Sequence, residues 1–305
     1  MRGAKGQATA LTAASTAALP TAASTAPFNK LIITAAICGA EVTKDDNPAL
    51  PVTPGELVEA AVDCWRQGAA IVHLHVRDAA AGPTQAPEVF GEVIAGIRSR
   101  TDMIVQVSTG GAVGMSVEER AGPLTLAPPL RPDMATLTCG SVNFGDGVFL
   151  NPPETMEFLA GRMREQGIKP EIEVFDAGMI ENAARLVKRG LVQPPPHFDL
   201  VMGVPGGIGG RVRDLVYLVE GLPAGSTWTV AGIGRFELPL AAAAIVMGGH
   251  ARVGLEDNIY YSRGVLARSN GQLVARVVRL ARELGREVAS PEEARGILGM
   301  SVARG

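Results

Sequence analysis

Aromatic residues make up only 4% of this 305-residue chain, and its 28 basic and 31 acidic residues leave a net charge of just −3. A nucleic-acid reader needs a basic field or a stacking surface, and the sequence offers neither. No run of about 18 apolar residues occurs, which excludes a membrane-spanning helix and leaves no membrane partner. Cysteine is scarce as well. Cys38, Cys64 and Cys139 are odd in number, form no CxxC pair and sit in apolar runs. They read as buried free thiols rather than disulfides or thiolate ligands, which fits a reducing, cytoplasmic setting. No Walker lysine loop, no placed dinucleotide fingerprint and no Gly-x-Ser-x-Gly elbow is present, so neither a nucleotide fold nor a serine hydrolase is indicated.

What is present is a 47% hydrophobic chain, long enough to bury a sizeable core. Residues 1–27 are rich in Ala, Thr and Ser, with Pro20 breaking any apolar stretch, and read as a disordered extension rather than a secretory signal. From Leu31 onward, short β-branched runs alternate with longer amphipathic ones. Eight strands are expected: Leu31 to Ala36, Ile71 to Val76, Met103 to Ser108, Met134 to Thr138, Glu171 to Val174, Leu200 to Met202, Thr227 to Ala231 and Ala251 to Leu255. Several intervening helices announce their ends. Thr53, Pro54 and Glu56 form a start and Gly68 a stop; Asn151, Pro152 and Glu154 repeat the start and Gly167 the stop; Ser290, Pro291 and Glu293 begin another near the C-terminus. Eight units without a linker favour a single (β/α)8 barrel over residues 28–305, with an open doubly wound sheet as the alternative. In a barrel, chemistry gathers at the C-terminal ends of the strands.

Two of the four histidines, His73 and His75, end the second strand. Alternate strand residues share a face and lie about 6.6 Å apart along the backbone, a span two imidazoles can close onto one metal ion. A hydrogen-bonded pair in a polar barrel mouth would look the same. The eighth strand brings Arg252, Glu256 and Asp257 to the same end, and strands two and eight both flank strand one in a closed barrel. Glu256 then completes a His-His-carboxylate set with open coordination positions, as a catalytic zinc requires. Arg252 can pair with Asp257 and hold it ionised as a base. Glu41, in the first loop, is placed to meet a cationic or hydroxyl group of a substrate, or to pair with a nearby Lys or Arg. The glycine-rich runs Ser108 to Gly111 and Gly203 to Gly210 suit the approach of a carboxylate or a CoA phosphate. No lysine at the end of strand six suggests a Schiff base, which leaves metal stabilisation of an enolate as the economical route.

The segments Ile33 to Thr43, Asn47 to Pro54, Ile71 to Asp78, Gln106 to Met115, Met134 to Phe144, Glu171 to Gly178, Gly203 to Gly207 and Ala251 to Asn258 resemble those of the β-keto acid cleavage enzymes, over about Lys30 to Met300. That resemblance implies a homotetrameric TIM barrel that converts a β-keto acid and acetyl-CoA into acetoacetate and a shortened acyl-CoA. It implies zinc on His73, His75 and Glu256, with Asp257, oriented by Arg252, as the base and Glu173 assisting through water. Glu41 would meet the substrate's distal group, and Ser108, Gly111 and Thr136 its polar end. A few additional residues around Leu126 to Pro132 leave Thr138 as the alternative to Thr136. Two other readings compete: a zinc-dependent barrel hydrolase or class II aldolase without CoA, which wants further histidine ligands such as His197 or His250, and a non-enzymatic metabolite-binding barrel.

Overall fold

The computed structural model describes residues 30–300. The expected extension over 1–27 lies outside them. Eight parallel strands close into a barrel: β1 (Ile33–Ala36), β2 (Ile71–Leu74), β3 (Ile104–Val107), β4 (Met134–Thr138), β5 (Lys169–Val174), β6 (His197–Met202), β7 (Thr227–Gly232) and β8 (His250–Val253), with β8 returning to β1. All eight fall where the apolar runs place them, and closure removes the open-sheet alternative.

The crossovers are helices α1 (Pro54–Gln67), α2 (Pro87–Arg98), α3 (Val117–Arg120), α4 (Pro153–Gln166), α5 (Gly178–Lys188), α6 (Val212–Glu220), α7 (Glu237–Met247) and α8 (Asn270–Glu283), followed by α9 (Pro291–Ile297). Thr53 and Glu56 satisfy the first amides of α1 reciprocally in a capping box, and Ser290 and Glu293 do the same for α9. The start of α4 differs from expectation. Its N-cap is Pro152, without a side-chain bond, because the buried Asn151 instead accepts from the Arg120 guanidinium at 2.6 Å. The stop at Gly167 is as expected, with φ 66°. Among the described residues, no helix is long and apolar enough to cross a membrane.

The strands bury opposite faces against different chemistry. Outward residues such as Val72, Leu74, Val105, Leu137, Phe198 and Val230 join the helices in one large apolar layer, with Leu57, Phe90, Leu159, Leu215, Leu240 and Val274 on the helix side. That layer carries the hydrophobic stabilisation, roughly 25 cal/mol for each Å² of apolar surface removed from water. The inward face is polar. Register pairs Thr34 with Arg252, His73 with Gln106, Glu171 with His197 and Glu173 with Asp199, so these side chains share the barrel interior. The N-terminal end is apolar inside, where Ile32, Ile71, Ile104 and Met134 are plugged by Ala294 and Leu298 at α9. Cys38, Cys64 and Cys139 are buried free thiols, as their apolar settings suggest.

Candidate active site

At the C-terminal end of the barrel lies a cavity of about 550 Å³. Its walls include His75, Glu173, Arg252, Glu256 and Asp257, Glu41 at the first loop, Ser108 and Gly111 at the third, and Phe144, Phe149 and Phe175. The last three rings pack edge to face at 6.2 to 6.5 Å between centroids.

His73, His75 and Glu256 converge. Glu256 Oε1 lies 3.5 Å from His73 Nε2 and 3.7 Å from His75 Nε2, and the potential ligand atoms all lie within 4.8 Å of one another. Two polypeptide features allow this. Strand alternation turns both imidazoles inward, and Gly254, at φ 154°, brings the following loop so close to β1 that a Cβ there would meet Ala36 O at 2.0 Å. Three observations fit the trio to a divalent metal ion. Gln106 Oε1 lies 2.7 Å from His73 Nδ1, which places that ring's proton on Nδ1 and leaves Nε2 as a free lone pair. Burial pushes the His75 imidazole down to about 4, into the neutral form that ligates. Glu256 Oε2 is buried without a hydrogen-bond partner among the described residues, a costly state that a cation relieves. Burial also disfavours the His73 cation, but the Glu256 carboxylate more than offsets this and raises its pKa. Glu256 itself is held well below the usual carboxylate range: burial works against its charge, and Arg252 and the two histidines outweigh it.

Arg252 is the electrostatic hub. It donates Nε to Asp257 Oδ2 at 2.9 Å, and Nη2 to Asp257 Oδ1 at 3.0 Å and to Glu256 Oε1 at 2.6 Å. Its Nη1 reaches Asp199 Oδ2 at 3.4 Å and pairs with Glu173 Oε1 at 3.9 Å. The fork fixes the carboxylate plane of Asp257, as a planar guanidinium does and an ammonium does not. Burial raises the Asp257 pKa although Arg252 opposes the shift, which makes it a stronger base than an exposed aspartate. Burial likewise raises Glu173, which accepts a hydrogen bond from the Thr138 hydroxyl.

The remaining expected residues separate into two groups. Ser108, Gly111 and Glu41 are on the cavity wall. Glu41 is exposed and makes no ion pair among the described residues, so the nearby-cation alternative is not what holds it. Thr136 is not on the wall. Its hydroxyl and carbonyl accept from the Thr109 amide and hydroxyl at 3.2 and 2.7 Å, so it fixes the third loop from beneath. In the Gly203 to Gly210 run, the amides of Gly203, Gly207 and Ile208 donate to backbone carbonyls rather than facing the cavity. His197 and His250 do not approach the metal trio either. His197 pairs with Glu171 at 2.9 Å deep in the barrel, and His250 Nδ1 accepts the Ile32 amide at 3.1 Å.

Sequence reasoning missed Gln106, Asp199, Glu237 and Asn270. The first two carry a readable signal, a lone polar residue at an inward register in an apolar strand. Glu237 and Asn270 carry none, because each looks like an ordinary helix start. In fact the wholly buried Glu237 accepts from the Gly254 amide and the Asn258 side chain, and Asn270 accepts from the Leu255 amide. Together they suspend the loop that bears Glu256 and Asp257.

A closed (β/α)8 barrel with a His-His-carboxylate trio spaced to hold a metal ion and a clamped aspartate at the mouth of its strands has the architecture of a barrel enzyme. Within that class, the chain belongs to the beta-keto acid cleavage enzyme family, whose model matches residues 30–300. It is 55% identical over 275 residues to the 3-keto-5-aminohexanoate cleavage enzyme of Fusobacterium nucleatum, covering 90% of this chain and 99% of that protein. It is 42% identical over 273 residues to the 3-oxoadipate:acetyl-CoA acetyltransferase of Cupriavidus necator, covering 88% and 94%. Among solved structures, the apo structure of ObcA superposes with a TM-score of 0.75 at 22% identity, over 84% of this chain and 66% of that one, and shares the fold.

Proposed function

We propose that this chain is a zinc-dependent acyltransferase that joins a β-keto acid to acetyl-CoA and cleaves the adduct by a retro-Claisen step to acetoacetate and a shortened acyl-CoA. The observation that carries the proposal is the placement of the His73, His75 and Glu256 trio beside an aspartate forked to Arg252, on the wall of one cavity. Zinc on two neutral imidazoles and one carboxylate keeps net positive charge, which acidifies the carbon between the two carbonyls of a β-keto acid and steadies developing negative charge.

The chain's own groups supply the rest. Asp257 takes the α-proton, and its carboxylate is already aimed because both oxygens are fixed by Arg252. The carbanion attacks the thioester carbonyl of acetyl-CoA and expels the CoA thiolate; the thiolate adds to the original β-carbonyl, and scission of the bond from that carbon to the α-carbon gives the shortened acyl-CoA and the acetoacetate carbanion, which takes the proton back from Asp257. Ser108 and the Gly111 backbone hold the polar end of the keto acid, while Glu173, steadied by Thr138, positions water at the same end. Glu41 faces the far end of the substrate, where a carboxylate selects a cationic group such as an ammonium. Thr136 acts through the Thr109 loop instead of touching substrate. The same reading carries a cytoplasmic homotetramer, checked by sedimentation velocity.

The test is mass-spectrometric detection of acetoacetate and acyl-CoA from a panel of β-keto acids with acetyl-CoA. Zinc-loaded protein is expected to form both products. His75→Ala should lose zinc and turnover together. Asp257→Asn should keep zinc while turnover falls by about 10²- to 10⁴-fold, the usual worth of a positioned base. Zinc-loaded protein that turns over no keto acid with acetyl-CoA would sink the proposal.

A further inference from the structure

Arg77 follows His75 by two residues and is 5% exposed, yet it makes no ion pair among the described residues. Its hydrogen bonds run to backbone carbonyls: Nη2 donates to Gly39 O at 2.7 Å and to Val42 O at 2.9 Å, and Nη1 donates to Ala81 O at 3.2 Å. The Cys38 thiol also lies beside the guanidinium, and Arg77 Nε is buried without a hydrogen-bond partner among the described residues. A buried guanidinium without a counter-ion is expensive, so its presence calls for a gain elsewhere.

The carbonyls it grips suggest that gain. Gly39 and Val42 bracket Glu41, so one nitrogen of one side chain pins the backbone on both sides of that carboxylate. The pinned arc also packs on the metal trio: Gly39 has φ +74°, and a Cβ there would lie 2.6 Å from Glu256 Cγ. Glu41 is exposed and has no ion pair among the described residues to aim it, so the position of its backbone sets the range its carboxylate can reach. A carboxylate on a fixed arc meets a cation with less loss of freedom than one on a loose loop.

We propose that Arg77 is a positioning residue for substrate selection. By strapping the Gly39 to Val42 arc against Glu256, it holds Glu41 at a set distance from the metal trio and thereby favours β-keto acids with a cationic end group over neutral ones of equal length. This rests on the assignment of Glu41 to the substrate's distal group. Lysine at 77 cannot reproduce the grip, because a single ammonium on a flexible stem does not present the guanidinium's rigid fork to three carbonyls.

The experiment compares two β-keto acids of equal length with acetyl-CoA, one ending in an amino group and one in methyl, for wild type, Glu41→Gln, Arg77→Lys and Arg77→Met. The readouts are the kcat/KM ratio for the two acids, zinc content, and amide hydrogen exchange in a peptide spanning residues 38–44. Glu41→Gln is expected to lower the ratio about fivefold, the scale of a partly solvated ion pair, through KM of the amino acid. Both Arg77 variants should shift the ratio in the same direction with zinc retained, and exchange across 38–44 should accelerate. A ratio lowered by Glu41→Gln but untouched in the Arg77 variants, or unchanged exchange in Arg77→Lys, overturns the role of Arg77. A ratio untouched by Glu41→Gln overturns the assignment of Glu41, and this inference with it.

Discussion

Replacing Gln106 with leucine removes the acceptor that fixes the His73 tautomer while keeping a side chain of similar volume. Gln106 and His73 are both buried, and their hydrogen bond is 2.7 Å long. In the variant the Nδ1 proton has no acceptor in a site closed to water, a state that costs about 1–3 kcal/mol. At about 1.4 kcal/mol per decade, that weakens zinc binding by roughly 5- to 150-fold, a span that brackets the roughly 10- to 100-fold usual for loss of an outer-shell partner. The metal-free imidazole escapes that cost by moving its proton to Nε2, and zinc must reverse the move to reach the lone pair, so the cost falls on the bound state alone. The assay is competition for zinc between the apo protein and a fluorescent chelator near pH 7.5. Gln106→Glu serves as the control, since a carboxylate also accepts from Nδ1 and is expected to bind zinc at least as well as wild type. An affinity for Gln106→Leu within twofold of wild type would refute the reasoning, because it would mean that the bond at Nδ1 does not set the ligand.

Gly39→Ala places a Cβ 2.6 Å from Glu256 Cγ at a left-handed φ of +74°. It should cost about 1–2 kcal/mol of stability from the backbone alone and lower zinc affinity as the carboxylate moves aside, both read from thermal melts with and without zinc. Unchanged affinity would show that Glu256 is not held by that contact. Burial pushes the Glu237 carboxyl up to about 8 from its ordinary 4.5. Across that window the folded protein keeps a proton that the unfolded chain releases, so rising pH should erode stability by up to about 1.4 kcal/mol per unit from this group, and not in Glu237→Gln. Urea midpoints of the two proteins at pH 5, 6.5 and 8 give the comparison, and a constant difference between them would contradict the burial argument.

The barrel was legible because a parallel strand packed against helices must be apolar on one face over a short length, and the runs at Ile71 and Met134 announce that directly. That His73, His75, Arg252, Glu256 and Asp257 come together was legible because strand alternation and ring closure bring the ends of β2 and β8 to either side of β1. The start of α4 was misread because Asn151 has the chemistry of a cap but is drawn away by Arg120, a partner 31 residues distant that local pattern cannot supply. Thr136 shares the inward face of its strand with Thr138, and only the closed barrel shows that the third loop roofs one and leaves the other free to meet Glu173. Arg77 and Glu237 were illegible on the same ground, since the partners of Arg77 are backbone carbonyls and those of Glu237 are a backbone amide and the side chain of Asn258, 21 residues distant, none of which the sequence marks.

The polar lining of the barrel has a consequence for how such a molecule can change. Its folding is driven from the outer apolar layer, so exchanging an inward side chain forfeits little hydrophobic transfer energy. The constraint is instead the algebraic sum of charge around Arg252, which touches Asp199, Asp257, Glu173 and Glu256 together. Substitutions there should be tolerated in pairs that leave that sum unaltered and rejected singly, so variation inside the barrel answers to net charge where variation outside it answers to volume.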